Sequence, residues 1–130
     1  MGIGGWYGSR QGLAMARERR TTVLTIGDVE DVGTDKAAEL ALELATKGAS
    51  SVFLSLDIDV VDPRFAPGTG SPEPGGLTPR EMLRFIRTIA REAPLCGMEV
   101  VEVAPPYDSG EITSLLACRA ILRCAWHARH

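Results

Sequence analysis

Apolar positions along the chain repeat with two periods, one suited to strands and the other to helices. Thr22-Val23-Leu24-Thr25-Ile26 is β-branched and predicts a strand. Ser51 to Leu56 is almost continuously apolar, as in a strand buried on both faces, and Leu95 to Val103 predicts a third. Helical spacing fills the intervals. Ser9 to Arg20 predicts a short helix with a basic end, Arg17-Glu18-Arg19-Arg20. Thr34 can cap a helix through Lys47 that carries Ala37, Leu40, Ala41 and Leu44, with Gly48 as its stop. Thr78-Pro79-Arg80-Glu81 joins a cap, a first-turn proline and a glutamate three residues on, which together mark a helix start. Met82, Leu83, Phe85, Ile86 and Ile89 form that helix's buried stripe, and it ends near Ala93-Pro94. Asp108 or Ser109 caps a last helix from about Glu111 to Trp126.

Strand, helix, strand, helix at this spacing predicts an α/β fold: right-handed βαβ units and a parallel sheet with flanking helices. Ligands in such sheets bind beyond the carboxyl ends of the strands. Asp57, Asp59 and Glu102 all fall there.

Composition narrows the partners. The 130 residues suit one domain with a modest core. A net charge of −3 gives no basic surface for nucleic acid or an anionic membrane. No apolar run is long enough to span a bilayer, and the Gly-rich first residues lack a signal-peptide core. Cys96, Cys118 and Cys124 are odd in number and form no CxxC pair, so buried reduced thiols in a cytoplasmic protein are expected.

The chemistry concentrates in Ser55-Leu56-Asp57-Ile58-Asp59-Val60-Val61-Asp62-Pro63, followed by Ala66-Pro67-Gly68-Thr69-Gly70-Ser71-Pro72. Carboxylates at that density repel one another unless a cation compensates them, and hard divalent metals favour oxygen ligands. On an extended backbone Asp57 and Asp59 project to the same side. Asp62, before Pro63, fixes the turn. On spacing alone the pair reads more readily as solvated loop or capping residues than as metal ligands. Glu102 can match the planar fork of a guanidinium or pair with a local arginine. Ser71 can reach a substrate or bond its own turn, and Thr69, Gly68 and Gly70 shape the loop. Glu99 reads as a buried or edge polar residue, and Trp6 and Trp126 as packing residues. Tyr107-Asp108, after two prolines, reads as a rigid turn and a cap.

The full string resembles the metal-binding signature of the ureohydrolase family of arginases and agmatinases, S-x-D-x-D-x-x-D-P-x-x-A-P-G-T-G-T-P-x-P-G-G-L-T. The match runs through Pro74-Gly75-Gly76-Leu77-Thr78, with Ser71 where threonine is usual. Gly97-Met98-Glu99-Val100-Val101-Glu102-Val103-Ala104-Pro105 resembles the family's later strand and its substrate-facing glutamate. Similarity extends from about Thr21 to about Ala125, and the wording is closest to agmatinase-like members.

That resemblance implies a three-layer α/β/α fold and a binuclear manganese centre that hydrolyses a guanidino C–N bond, as in agmatine, to urea and an amine. It assigns Asp57 and Asp59 to the metal and Glu102 to the substrate; Ser71 is a further substrate-binding candidate by its place in the loop alone. The family's other four ligands lie in a histidine motif and a D-A-H-x-D motif, and neither motif is present. The two histidines, His127 and His130, lie outside any ligand spacing and read as exposed tail residues. Met1-Gly2-Ile3-Gly4-Gly5-Trp6 resembles the family's internal Q-I-G-I-R-G strand, with Gly4 where arginine is usual. Residues 1–130 are therefore expected to form one unit, the C-terminal portion of the fold, from a split or truncated gene or from a reading frame whose start was assigned late. Such a unit should be inactive alone and act with a complementary N-terminal half. A non-catalytic assembly module forming homo-oligomers, or a weak divalent-metal binder, are the competing expectations.

Overall fold

The structure, a computed structural model, describes residues 1–5 and 9–128, so Trp6 and His130 lie outside it. In chain order it runs β1 (Gly2–Gly5), α1 (Arg10–Glu18), β2 (Val23–Thr25), α2 (Ile26–Val32), α3 (Thr34–Thr46), β3 (Val52–Asp57), α4 (Pro79–Glu92), β4 (Leu95–Val101) and α5 (Ile112–His127). Among the described residues the strands form two separate parallel pairs, β1 with β2 and β3 with β4.

Local chemistry explains most boundaries. Thr78 and Glu81 cap α4 reciprocally: the Glu81 carboxylate accepts from Thr78 N at 2.8 Å, and Thr78 Oγ1 accepts from Glu81 N at 3.3 Å. Thr25 and Asp28 form a second capping box, which starts α2. The sequence reading placed Ile26 in a strand and missed that helix. The box turns the chain at Thr25, and Ile26 and Val29 are buried. Gly33, not Thr34, caps α3, which ends at Thr46. Asp108 starts α5, its carboxylate accepting from Thr113 N at 2.9 Å and Ser114 N at 2.8 Å.

The main core lies beneath β3 and β4. Leu56, Ile58, Val61 and Ala66 pack on Met82, Ile86 and Ala90 of α4 and on Ala117, Ala120 and Cys124 of α5. A second cluster joins Ala38 and Ala41 of α3 to Ile89 and Ala93, with Ile3 of β1 and Leu54 of β3 against it. Contrary to expectation, β3 is not buried on both faces: Phe53 is 57% exposed and Ser55 is exposed, while Leu56 is buried. Both α4 and α5 lie against the Leu56 side, leaving Phe53, Ser55 and Glu99 on an open face. Gly97, opposite Phe53, makes room for the ring, since a Cβ there would meet Phe53 Cε2 at 2.9 Å.

Three surface expectations change as well. Cys96 and Cys118 are exposed and only Cys124 is buried, all three as free thiols. Trp126 is 85% exposed instead of packed, because it falls on the face of α5 opposite Cys124 and Ala120. His127 is half-buried as the last residue of α5, where loss of water and then Arg123, Arg91 and Arg87 hold its imidazole below the usual pKa.

Candidate functional site

The extended backbone ends at Asp57, and a single 3-10 turn, Ile58–Val60, follows. Asp57 and Asp59 therefore do not sit two apart on a strand, as the sequence reading had it. Ile58 and Val61 are fully buried under α4 and pull the chain inward, and the Asp57 carboxylate accepts from Asp59 N at 3.2 Å across the turn. The turn keeps the two acids together. The Asp59 carboxyl is pushed up to about 6, first by loss of water, then by Asp57, with smaller contributions from Glu102 and Glu73.

Glu102 leaves β4 with a left-handed backbone, φ 64°, a conformation that costs a residue with a side chain and concentrates at functional positions. Its carboxylate lies over Gly70, whose missing Cβ would be 4.0 Å from Oε2. The Gly68-Thr69-Gly70 loop is clipped from both sides. Ala104 N donates to Gly68 O at 2.8 Å, Thr69 bridges to Val103, and Gly68 N donates to the buried Thr113 Oγ1 at 2.8 Å. Thr69 Oγ1 is buried without a hydrogen-bond partner among the described residues.

Asp62 fixes the following turn, as expected. Its carboxylate accepts from Arg64 N at 2.9 Å and Gly75 N at 2.8 Å, and donation from Gly75, then Arg64, lowers its pKa. Gly76 presses against the backbone of Val60 to Asp62, where a Cβ would meet Val60 O at 2.6 Å. This returning loop carries Ser71, which is exposed, and Glu73, which the sequence reading did not single out. The signal for Glu73 was its place in a Pro/Gly loop that folds back onto the acidic turn.

The donor set is oxygen-only and carries unrelieved repulsion, which suits a hard divalent cation. Among the described residues no three His, Cys, Asp or Glu side chains converge closely enough to hold one. The Asp57–Asp59 pair thus fits part of a shell for a hard divalent cation and does not by itself close a site.

Similarity to known proteins covers nearly all of the chain. A family model described as the arginase family matches residues 1–126. Proclavaminate amidinohydrolase of Streptomyces clavuligerus is 44% identical over 117 residues, 90% of this chain and 36% of that protein. Agmatinase of Enterobacter sp. (strain 638) is 44% identical over 101 residues, 78% of this chain and 32% of its own. Arginase of Bacillus caldovelox superposes with a TM-score of 0.89 at 29% identity, over 98% of this chain and 42% of that one. The chain spans about a third of the length of the curated relatives it matches.

Proposed function

Because this chain belongs to the arginase family, we propose that its 130 residues act as one unit, the C-terminal portion of an agmatinase-like ureohydrolase. In complete form the site hydrolyses a guanidino C–N bond to urea and an amine. Asp57 and Asp59 supply two of the ligands of a binuclear manganese centre. When bound, manganese supplies the activation of water for attack on the guanidinium carbon. Glu102 holds the guanidinium by paired hydrogen bonds to its planar fork, and Ser71, on the adjoining loop, contacts the substrate. The observation that carries this reading is the Asp57–Asp59 turn at the carboxyl end of β3, where Asp59 N donates to the Asp57 carboxylate at 3.2 Å and holds the two acids together.

Among the described residues no three His, Cys, Asp or Glu side chains converge on a metal, so the isolated unit is expected to be inactive. The test is urea release from agmatine, arginine and guanidinobutyrate with added manganese. The isolated chain should release none. A fusion to the unmatched part of the Streptomyces clavuligerus enzyme should turn over at least one of them. Robust turnover by the pure chain would sink the split-site reading, and a folded, manganese-loaded fusion that releases no urea would sink the hydrolase reading.

A second reading, a homo-oligomeric assembly module, draws support from the exposed stripe of Leu115, Leu122 and Trp126 along α5, which favours self-association.

A further inference from the structure

A net charge of −3 hides a sorting of charge over the surface. Arg80, Arg84, Arg87 and Arg91 follow one another on α4 at helical spacing and share one face. On α5, Arg119, Arg123 and His127 form a second cationic row at the same kind of spacing. The helices pack through Met82, Ile86 and Ala90 against Ala117, Ala120 and Cys124. The groove between the rows, about 580 Å³, is lined by Arg80, Leu83, Arg84, Arg87 and Arg123. Arg123 also lines a neighbouring hollow with Trp126 and His127. Among the described residues no carboxylate lines either space, and only Arg84 of the groove's arginines has an acidic partner, Asp35. Like charges this close oppose one another along each helix and across the groove, a cost that a bound anion would remove.

We infer that the groove between α4 and α5 is a binding site for a small anion carrying two or more linked phosphates. Each guanidinium presents a planar fork that gives one phosphate two parallel hydrogen bonds, which an ammonium does not. The groove is built from arginine alone: the chain's lysines, Lys36 and Lys47, lie on α3 and just after it. Arg80 and Arg87 stand two turns apart, about 11 Å along the helix axis, so linked phosphates engage more of the row than one phosphate does. Arg123 closes on them from the opposite wall.

Two sources share that chemistry, an inorganic polyphosphate and the phosphate tail of a nucleotide. Trp126, exposed beside Arg123, offers a face on which a base stacks, so it matters only for the second. Neither Asp57 nor Asp59 lines the groove. The inference therefore does not rest on the hydrolase reading, and its readout is binding, not catalysis.

The probe is tripolyphosphate, titrated into the 130-residue chain by calorimetry at physiological ionic strength. It should fill one saturable site, at least tenfold more tightly than inorganic phosphate does. Arg87→Gln with Arg123→Gln should weaken it at least tenfold. Arg17→Gln with Arg19→Gln removes the same charge from exposed residues at the end of α1 and should change nothing. If the groove pair melts below the native chain, Arg87→Lys with Arg123→Lys keeps the charge and should still weaken binding several-fold by removing the forks. Loss of water, then Arg123, Arg91 and Arg87, hold the His127 imidazole below its usual pKa. A bound anion offsets those arginines, so that pKa should rise when followed by NMR. ATP binding more tightly than tripolyphosphate, and losing that advantage in Trp126→Ala, would identify the nucleotide as the source; equal or weaker ATP binding would identify the phosphate chain alone. The site is overturned if no saturable binding occurs, if an acidic peptide of equal charge binds as tightly, or if the two glutamine pairs behave alike. Native affinity in the lysine pair, or an unmoved His127, would overturn it as well.

Discussion

Asp59 carries more repulsion than any other carboxyl with a resolved shift, with Asp57 beside it across the turn and Glu102 and Glu73 further off. Neither aspartate has a cationic side chain among its hydrogen-bond partners in the described residues. Removing one carboxylate should therefore act on metal binding before it acts on the fold. In the fusion that restores the missing donors, Asp57→Asn and Asp59→Asn should each weaken manganese binding about 100-fold or more, measured by calorimetric titration. Unchanged affinity in either variant would remove that residue from the shell. Gly76 tests the loop behind the site. A methyl there has nowhere to go, since the atoms it meets at 2.6 to 2.9 Å are backbone of Val60, Val61 and Asp62. Gly76→Ala should cost about 1–3 kcal/mol in denaturant unfolding. Gly2→Ala, with open space around it, should cost almost nothing. Equal costs at the two sites would refute the close approach.

Helix α5 depends on one carboxylate six residues before the last N–H it caps. Burial alone would raise the Asp108 pKa, yet N–H and hydroxyl donors from Ser114 and Thr113 outweigh it and bring the carboxyl down to about 2. Its ordinary value is 3.8, so the group is depressed on folding. The stability it contributes is complete above about pH 4 and is lost as pH falls toward 2. Asp108→Ala should lower the melting temperature near pH 6 by about 4 °C, the scale of one helix cap in a domain of this size. The difference from the native chain should shrink as both are melted at pH 4, 3 and 2. A pH-independent gap would mean that the charge is not what caps the helix. Elements with complete local signals were legible in the sequence. Thr78, Pro79 and Glu81 announce α4 within four residues, and the cap from Asp108 was anticipated. Helix α2 was not, because Thr22 to Ile26 is β-branched at every position but Leu24 and Asp28 serves as the box's third-position acid where glutamate is the usual sign. The turn at Ile58 was illegible for another reason: burial of Ile58 and Val61 under α4 decides it, a contact no local pattern reports.

At the scale of the whole molecule, the apolar run at Ser51 to Leu56 is patterned for a sheet covered on both faces, and the described residues cover one. The family and the parallel α/β class were readable because their motifs are short and contiguous. The open face and the split of the sheet were not, because they follow from what packs beside the strands. The same incompleteness governs association. Leu115 and Leu122 are each 64% exposed and Trp126 is 85% exposed, spaced seven and four residues apart on α5, so they share one face. Arg119 falls within that stripe and Arg123 beside it, and like charges repel when two copies meet face to face. If the apolar stripe drives self-association, dimerisation should strengthen as salt screens the arginines, and sulfate should strengthen it further. Sedimentation equilibrium on the isolated chain at 50 mM and 500 mM salt reads this directly, at salt levels about tenfold apart. Leu122→Ser with Trp126→Ser should return the chain to monomer at both, while Phe53→Lys on the open sheet face should not. The opposite pattern, association abolished by Phe53→Lys and untouched by the α5 pair, would place the contact on the sheet. The assembly contact would then lie on the open sheet face and not on the helix.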